Sequence, residues 1–495
     1  MSAAESAPSA LVAVRAAIDR IEQVNPALNA VVVPRFEAAL AEAAALDAAV
    51  AAGAARGALH GMPITVKECI DLAGTASTFG LPARREHRAG RDDPHVAALR
   101  AAGAVVVGKT NVSQALLYTE ADNPVYGRTQ NPWNAGRSCG GSSGGEGAIL
   151  AAGGSRLGLG TDIGGSLRTP AAFCGVASLK PTSGRADTRG SGSIPPGQRA
   201  IPSQNGILAP RVADVIRASA VIFGVGGALL PAQALPDPRM IDVTRLRVAC
   251  YVDDGTLAPA PAVRRAIADT RARLTARGVA VIDWQPPAVP EALRLFFALL
   301  SADGGAGVRR LAARGERDPR IADLAFVTGR SRGMLWLLRR TLSLFGQRAT
   351  ADFLDAFGHA DTDHYWQAVT AQADYRLRFL DALRDSRGAF DLVLCPAAAL
   401  PAFRHGASRV LGTAGGYAPL WNLLGFPAGV VPVTRVRAGE ESDRAPSRDR
   451  VLAAAREQER DSAGLPIAVQ VAGRPWREHE VLALMQIIED DAGYR

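Results

Sequence analysis

Two glycine-rich clusters that contain serine lie close together in the sequence, GGSSGG at residues 140–145 and DIGGS at residues 162–166. Glycine clusters that flank regular elements indicate backbone that adopts unusual dihedral angles or approaches a ligand closely. In the second cluster, successive amides could converge on one point beside a serine hydroxyl. Acyl transfer requires this combination of a nucleophile and donors that stabilise an oxyanion. The amides concerned belong to Ile163, Gly164, Gly165 and Ser166.

An attacking serine also needs a base, and the stretch that joins the two clusters contains no histidine. Lys67, Lys109 and Lys180 are the only lysines among the 56 lysine and arginine residues. A desolvated lysine can lose its proton near neutral pH, whereas arginine cannot, so a lysine kept in an arginine-rich chain is a candidate base. Lys67, in the segment GMPITVKE, is the candidate for the serine clusters.

A phosphate-binding loop is the first alternative, because GAVVVGKT at residues 103–110 fits the pattern G-x-x-x-x-G-K-[ST]. A phosphate cradle needs loop amides that are free to converge on the phosphate. Here the four intervening residues are one alanine and three valines, which favour a strand. We therefore expect these amides to be committed to a sheet and the match to be fortuitous.

A hydrolase with a histidine triad is the second alternative, because residues 140–144 and 141–145 both fit G-x-S-x-G. That motif needs a strand leading into the serine, but residues 131–140 (NPWNAGRSCG) have the composition of a loop. Ser142 and Ser143 precede a helix-forming run, where a serine is also an ordinary N-cap. The contexts of the later histidines mark none of them as catalytic: His359, His364, His405 and His479.

The elements that must position these residues predict an α/β fold. Apolar, β-rich runs alternate with helix-period segments such as 94–102, 261–278 and 479–491. Strands that are apolar throughout are buried on both faces, so we expect one large mixed β-sheet covered by helices on both faces. The runs predicted as strands are 27–33, 63–68, 104–110, 156–162, 176–182, 247–252, 279–284, 390–396, 428–433 and 466–472.

One domain over residues 1–495 is the simplest organisation, with two insertions. Residues from about 290 to 385 are predicted to be helical, and the charged segment from about 435 to 462 is predicted to be a solvated surface excursion. The first residues lack the pattern of a signal peptide, and we expect a helix of the mature protein there.

Composition excludes several classes of protein. No run reaches 18 uninterrupted apolar residues, as a membrane-spanning helix requires. The five cysteines are odd in number and lack C-x-x-C spacing, so we expect a cytoplasmic protein without disulfides or a zinc site. The net charge of +8 is scattered without a basic run, which argues against a nucleic-acid partner.

The serine clusters and the Lys67 segment, taken together, resemble the amidase signature family of hydrolases, which use a Ser-cis-Ser-Lys triad. The resemblance spans essentially the whole chain and implies the amidase signature fold. It implies Ser166 as nucleophile, Ser142 as bridging serine after a cis peptide bond from Gly141, and Lys67 as base. The segments that carry it most specifically are 61–68, 131–148, 158–175 and 176–185.

The resemblance also implies how the site is completed. Neutral Lys67 would take a proton from Ser142, which takes that of the nucleophile as it attacks an amide carbonyl, with no metal or organic cofactor. Lys109 and Lys180 are predicted to be structural, because a second base has no task, and a homodimer is implied. The amides of residues 163–166 would form the oxyanion hole, and the polar positions that hold the network would be Ser143, Asp162 and Arg168.

Within the family, the greatest similarity is to fatty acid amide hydrolases, over residues 110–134, 299–307, 420–436 and 464–476. This implies amides of fatty or other hydrophobic acids as substrates, an apolar cap at about 290–385, and an acyl pocket near Leu116 and Leu117. The alternatives are a broad-specificity amidase for small aliphatic or aryl amides and the glutamine-hydrolysing component of an amidotransferase. The apolar cap argues against the second, because glutamine needs a small polar pocket.

Residues 332–348 (RGMLWLLRRTLSLFGQR) predict a helix with a wide apolar face and a basic strip. Such a helix lies at a membrane surface or lines an acyl entrance, or it is an ordinary surface helix docked on the core. Peripheral membrane contact is therefore expected to involve this segment, if it occurs. On a helical wheel the polar side holds Arg332, Trp336, Arg339, Arg340, Ser343 and Gln347. The apolar side holds Met334, Leu335, Leu337, Leu338, Leu342, Leu344 and Phe345.

Overall fold

A computed structural model describes residues 9–186, 188–190, 197–227, 230–311, 315–354, 356–412 and 417–494. The strands within these ranges are β1 (Val31–Pro34), β2 (Pro63–Lys67), β3 (Val105–Thr110), β4 (Asp122–Asn123), β5 (Gly127–Arg128), β6 (Gln130–Asn131), β7 (Asn134–Ser138), β8 (Leu157–Asp162), β9 (Ala177–Lys180), β10 (Gln204–Ala209), β11 (Arg247–Cys250), β12 (Ala280–Asp283), β13 (Arg384–Asp385), β14 (Gly388–Ala389), β15 (Leu392–Pro396), β16 (Ala428–Arg435) and β17 (Pro466–Gly473).

The helices flank and cap the strands. They are α1 (Ala10–Leu28), α2 (Phe36–Ala51), α3 (Pro94–Ala101), α4 (Gly144–Ala151), α5 (Arg168–Cys174), α6 (Val212–Phe223), α7 (Pro261–Ala276), α8 (Val289–Leu300), α9 (Ala306–Leu311), α10 (Pro319–Thr328), α11 (Arg332–Leu344), α12 (Arg348–Leu354), α13 (Thr362–Ala382), α14 (Ser408–Leu411), α15 (Pro419–Leu424), α16 (Arg450–Glu459) and α17 (Glu478–Ala492). The helices predicted at 94–102, 261–278 and 479–491 are confirmed as α3, α7 and α17, and the helix predicted near the N-terminus is α1, with residues 1–8 outside the described ranges.

One mixed sheet of 11 strands forms the core, in the order β1-β3-β2-β8-β10-β9-β16-β17-β15-β11-β12. The predicted fold class is confirmed. Each of the ten predicted runs overlaps a strand of this sheet, but β10 was not predicted although it lies at the centre, between β8 and β9. Its first residues, Gln204, Asn205 and Gly206, interrupt the apolar pattern by which a buried strand is recognised.

Both faces of the sheet are covered, as successive residues of β3 demonstrate. Val105 and Val107 belong to a core cluster formed with α1, α2 and α4. Val106, which points to the opposite face, belongs to the large cluster that contains the rest of the sheet. Side chains alternate between the two faces of a strand, so each face of β3 has its own apolar layer.

The pairing of strand β3 excludes a phosphate-binding loop at residues 103–110. Residues Val105–Thr110 pair with β1 on one side and with β2 on the other. Their backbone groups are therefore used in the sheet and do not converge on a ligand. The expectation drawn from the valines is confirmed.

The segment before Ser142 differs from the prediction of a loop without strand character. Residues Gln130–Asn131 and Asn134–Ser138 form a two-stranded antiparallel sheet. This small sheet is separate from the 11-stranded one, so it does not feed a core strand into the serine as a nucleophile elbow requires. Its few polar residues lack the apolar pattern of a core strand, which explains why it was missed.

The two insertions differ in character. The described residues between 289 and 382 form helices α8–α13, as predicted, and we call this segment the cap. The charged segment 435–462 is only partly solvent-exposed, because α16 buries Val451, Ala455 and Glu459. Its backbone also binds the core: the buried Arg137 donates to the Gln458 carbonyl at 2.6 Å. The prediction of a purely solvated excursion is therefore wrong for α16.

Two further expectations can be compared with the described residues. All five cysteines are free and buried, in agreement with a protein without disulfides. Among the described helices, none combines the length and apolarity needed to cross a bilayer.

Candidate active site

Lys67 ends strand β2 and lies completely buried beneath the two glycine-serine clusters. Its Nζ donates to Ser142 Oγ at 2.7 Å and to Thr161 Oγ1 at 2.8 Å. Burial lowers the pKa of the Lys67 ammonium, although the charges of Cys69, Asp162 and Glu146 oppose this effect. A lysine in this setting can be neutral at moderate pH and can accept a proton from the hydroxyl that it touches.

The first cluster turns into α4 in a space that excludes side chains. A Cβ atom at Gly141 would lie 2.6 Å from the Tyr118 carbonyl oxygen and 2.6 Å from the Glu120 amide nitrogen. The peptide bond from Gly141 to Ser142 is cis, as the family resemblance implies. Ser143 occupies the N-cap position of α4, but its side chain makes no capping bond and instead donates to the Thr161 carbonyl at 3.3 Å. Neither serine therefore acts as an ordinary cap.

The second cluster forms a tight loop between β8 and α5, with Gly165 at φ +111°. A non-glycine residue rarely adopts this dihedral angle. The Ser143 amide donates to the Ser166 carbonyl at 3.2 Å, so the two clusters are in direct contact. Ser142 is buried, whereas Ser166 is partly exposed. The partly exposed serine is the one that an incoming substrate can reach.

Asp162 holds the loop of the second cluster in place. Its carboxylate accepts hydrogen bonds from the Gly165 amide at 2.8 Å and the Leu167 amide at 3.2 Å. It also forms a fully buried ion pair with Arg168, with Nε 3.0 Å from Oδ2. The ion pair with Arg168 holds the pKa of the Asp162 carboxyl well below its usual range, despite burial, so the carboxylate remains charged.

Arg168 connects this loop to distant parts of the chain. Its guanidinium donates to the Ala418 carbonyl at 2.9 Å, to Asn422 Oδ1 at 2.6 Å and to Gln470 Oε1 at 2.9 Å. Asn422 in turn donates to Asp162 at 2.9 Å. A buried charge is stable only when its donors and acceptors are paired, and this network pairs them. Neither Asn422 nor Gln470 was identified from the sequence.

The four predicted oxyanion donors are not equivalent in the structure. The Gly165 amide is bonded to Asp162, so it can serve an oxyanion only by sharing or leaving that bond. Ile163 and Gly164 are partly exposed, like Ser166. Gly164 faces the cap, because a Cβ atom at this position would lie 2.9 Å from the ring of Phe296 in α8.

Leu116 ends a short 3-10 turn, Leu117 follows it, and neighbouring residues contact both the cap and the first serine cluster. Both are partly buried. On the cap side, Gln114 Nε2 donates to the Glu316 carbonyl at 3.0 Å, and the Tyr118 hydroxyl donates to the Arg320 carbonyl. On the other side, the backbone of Tyr118 packs against Gly141. The two leucines therefore lie next in sequence to Tyr118, whose backbone packs against the residue before Ser142.

Three further residues near the site were not identified from the sequence, although two of them, Thr161 and Glu146, lie within the segments that carry the family resemblance. Thr161 orients Lys67 but resembles an ordinary strand residue. Glu146 is buried in α4 although a glutamate after a turn is usually exposed, and Phe296 looks like one apolar residue among many in α8.

Lys109 and Lys180 are buried elsewhere: Lys109 donates to Ser77 Oγ at 3.0 Å and Lys180 to the Pro181 carbonyl at 2.7 Å.

A cavity of about 270 Å³ lies within the cap rather than at the serines. Residues between 298 and 371 line it, from α8, α13 and the loop between α12 and α13. None of its lining residues belongs to the triad predicted from the sequence.

Comparison with known proteins agrees with this geometry. A family model described as Amidase matches residues 12–482, so the chain belongs to the amidase family. The relatives of this chain are amide hydrolases, and this is the class of enzyme to which it belongs. Fatty acid amide hydrolase 1 of Caenorhabditis elegans is 34% identical over 451 residues, which cover 87% of this chain and 76% of that protein. An acetamidase of Aspergillus oryzae is 31% identical over 452 residues, or 87% of this chain and 77% of that protein.

The fold is shared with a solved structure of a fatty acid amide hydrolase. The TM-score is 0.84 at 24% identity, and the superposition covers 98% of this chain and 83% of that one. At this identity the similarity concerns the fold. The chain is thus a serine amidohydrolase of the amidase signature type, similar in sequence to fatty acid amide hydrolases.

Proposed function

We propose that the protein hydrolyses amides of fatty or other hydrophobic carboxylic acids through an acyl-enzyme on Ser166. Lys67 is the base and Ser142 relays the proton. The observation that carries this proposal is the 2.7 Å contact between Lys67 Nζ and Ser142 Oγ in a fully buried position. Burying an ammonium is costly, so burial favours the neutral form of Lys67, and contact with Ser142 beside the second serine cluster gives that neutral amine a hydroxyl proton to accept.

The relay runs from the exposed serine to the buried base. Ser166 attacks the carbonyl carbon while its proton passes to Ser142 Oγ, and the proton of Ser142 passes to neutral Lys67. Thr161 accepts a hydrogen bond from Nζ, so the neutral amine can keep this bond and turn its lone pair toward Ser142. In reverse, the same path protonates the leaving amine. Water then hydrolyses the ester of Ser166 with the same base.

The amides of residues 163–166 stabilise the developing oxyanion in this proposal. Asp162 and Arg168 fix the loop that carries them, and Ser143 ties the loop to the first cluster through its amide. Donors held in place before the reaction need no reorganisation during it, which is the main source of their effect.

An apolar substrate is supported by the cap. Phe296 touches the position of Gly164, and its ring lies 5.4 Å from that of Phe297. Phe297 continues to Phe357 at 5.0 Å and Phe353 at 6.1 Å. This row of aromatic side chains leads from the oxyanion loop into the cap and suits a hydrocarbon chain better than a polar one. It also argues against glutamine as substrate.

A small-amide hydrolase is the second candidate, favoured by the acetamidase among the relatives. The experiment that separates the candidates is a series of primary amides of increasing acyl length. We expect kcat/KM to rise with chain length, because each buried methylene contributes about 0.8 kcal/mol. A maximum at acetamide would support the second candidate and contradict the lipid proposal. Ser166→Ala is the control for activity from contaminating enzymes.

Peripheral contact with a lipid surface through the cap is part of the proposal. Helix α11 docks through Leu335, which is buried, while several of its other apolar residues are exposed. The side chain of Arg332 is not among those that the structure describes. The guanidinium carbon of Arg340 lies 4.8 Å from the centroid of the Trp336 ring. The exposed large apolar side chains of the cap are Phe326, Met334, Trp336, Leu337, Leu344, Phe345, Trp366, Val369 and Leu377. Apolar side chains interspersed with arginine suit an anionic bilayer surface.

A homodimer is proposed from the family resemblance alone. Sedimentation velocity at several protein concentrations tests it, and a single monomeric species throughout would contradict it.

A further inference from the structure

Glu146 is a fully buried carboxyl group whose charge acts on the candidate base, and the proposed relay does not use it. It lies in the first turn of α4, three residues after Ser143. Its Oε2 accepts a hydrogen bond from Thr65 Oγ1 at 2.6 Å, and its Oε1 accepts one from Thr110 Oγ1 at 2.7 Å. A buried charge-bearing group of this kind is rare unless it is paired or has a task.

Residues of strands β2, β3 and β8 surround this carboxyl group. Thr110 is the register partner of Lys67 in the β2–β3 pair, and Thr65 is on the same face of β2 as Lys67, two residues earlier. Position 158 of β8 is glycine, and a Cβ atom there would lie 2.2 Å from Glu146 Oε2. Three adjacent strands therefore provide two hydroxyls and an empty position for one carboxylate.

We propose that Glu146 is a positioning residue for Lys67, a carboxylate held beneath the lysine so that its negative charge favours the protonated state formed during the reaction. This inference rests on the proposed role of Lys67 as base. Lys67 must receive a proton when Ser166 attacks, and a nearby negative charge stabilises the ammonium at that moment. Two hydroxyl donors favour the charged form of Glu146, which is what this role requires.

Glu146 shares this task with Asp162 of β8, whose charge also favours the ammonium of Lys67 but is engaged in the ion pair with Arg168. Cys69, which follows β2, is buried, and burial raises the pKa of its thiol to about 11, so it is neutral at ordinary pH. Lys109 of β3 points to the opposite face and bonds Ser77. Burial raises the pKa of Glu146 itself to about 8, so the negative charge that this role requires is complete only above that pH.

The small number of lysines makes a direct test possible. Protein labelled with ¹³C at lysine Cε gives three resonances, and Lys67→Arg identifies the one that belongs to Lys67. Following this resonance with pH measures the titration of Lys67 without any substrate. We expect Glu146→Gln, which keeps the shape and removes the charge, to lower the midpoint by about one pH unit. An unchanged midpoint would show that the proton resides on Glu146 and would overturn the proposal.

The matched control is Glu478→Gln. Glu478 is also fully buried and carries hydrogen bonds, but to the Thr182 amide and to Arg185. We expect this variant to leave the midpoint of Lys67 unchanged, and an equal shift in both variants would attribute the effect to general loosening of the fold. In the active enzyme, Glu146→Gln should move the acidic limb of kcat/KM to lower pH by the same amount. The NMR titration remains valid even if Ser166→Ala retains activity, so failure of the proposed function is distinguishable from failure of this inference.

Discussion

Replacing Asp162 by asparagine tests the network that supports the second serine cluster. The carboxylate accepts two backbone amides, two nitrogens of Arg168 and the Asn422 amide, and both it and Arg168 are fully buried. Asparagine has nearly the same shape, but its NH₂ group must face at least one of these donors. Arg168 then keeps a buried positive charge without its carboxylate partner.

Removing one member of a buried ion pair costs about 3–5 kcal/mol, because the remaining charge stays desolvated. We expect Asp162→Asn to lower the free energy of unfolding in water by this amount, with an unchanged m-value in urea. The matched control is Asp237→Asn, which removes an exposed ion pair with Arg239 and should have no measurable effect. A loss below about 1 kcal/mol in Asp162→Asn would refute the argument that this pair organises the loop.

The effect should also depend on pH in a defined direction. Folding lowers the pKa of Asp162, so its contribution is complete above the usual carboxyl pKa of 3.8 and is lost as the pH falls below that value toward the folded-state pKa. Asparagine does not titrate. The difference in stability between wild type and variant should therefore be constant near neutral pH and should narrow below about pH 4. A difference that stayed constant into acid would mean that the charge of Asp162 contributes nothing.

Further predictions concern the reaction and the cap. Lys67→Ala and Ser166→Ala should each lower kcat by several orders of magnitude in steady-state assays, because base and nucleophile act as a unit; full activity in either variant would remove that residue from the mechanism. Wild-type kcat/KM should rise with pH through the lowered pKa of Lys67, because only the neutral amine accepts a proton. Phe296→Ala should lower kcat/KM for long-chain amides about tenfold and spare acetamide, because it removes apolar contact area; equal losses would place Phe296 in the loop scaffold instead. Leu344→Asp should weaken sedimentation with vesicles containing phosphatidylglycerol because it places a charge on the exposed cap, whereas the equally exposed control Met240→Asp should not.

The sequence was sufficient for most of the fold because buried strands of valine, isoleucine and leucine are distinctive. The exception, β10, begins with Gln204 and Asn205, whose side chains find buried partners such as the Ser203 carbonyl and Asp93. Asp93 is distant in the chain, so no local pattern could reveal that Asn205 is satisfied inside the protein.

The site was predictable only where the chemistry leaves a motif. Lys67, Ser142 and Ser166 stood out through glycine clusters and the rarity of lysine, and the structure brings Lys67 to Ser142 and the two clusters to each other. Thr161 and Glu146 lie within the segments that carry the family resemblance, but their residue types did not indicate a role, because a threonine in a strand and a glutamate at the start of a helix are common. Their roles depend on which strands are neighbours, and that information is three-dimensional.

The connections of Arg168 have a consequence for the timing of synthesis. Lys67, Ser142 and Ser166 all lie before Arg168 in the chain, but Arg168 bonds Gln470, 302 residues later. Chains emerge from the ribosome N-terminal end first. A nascent polypeptide that lacks β17 therefore carries every reacting group but lacks one of the contacts that hold the loop of the nucleophile. We expect the hydrolase to become fully competent only when this last core strand inserts.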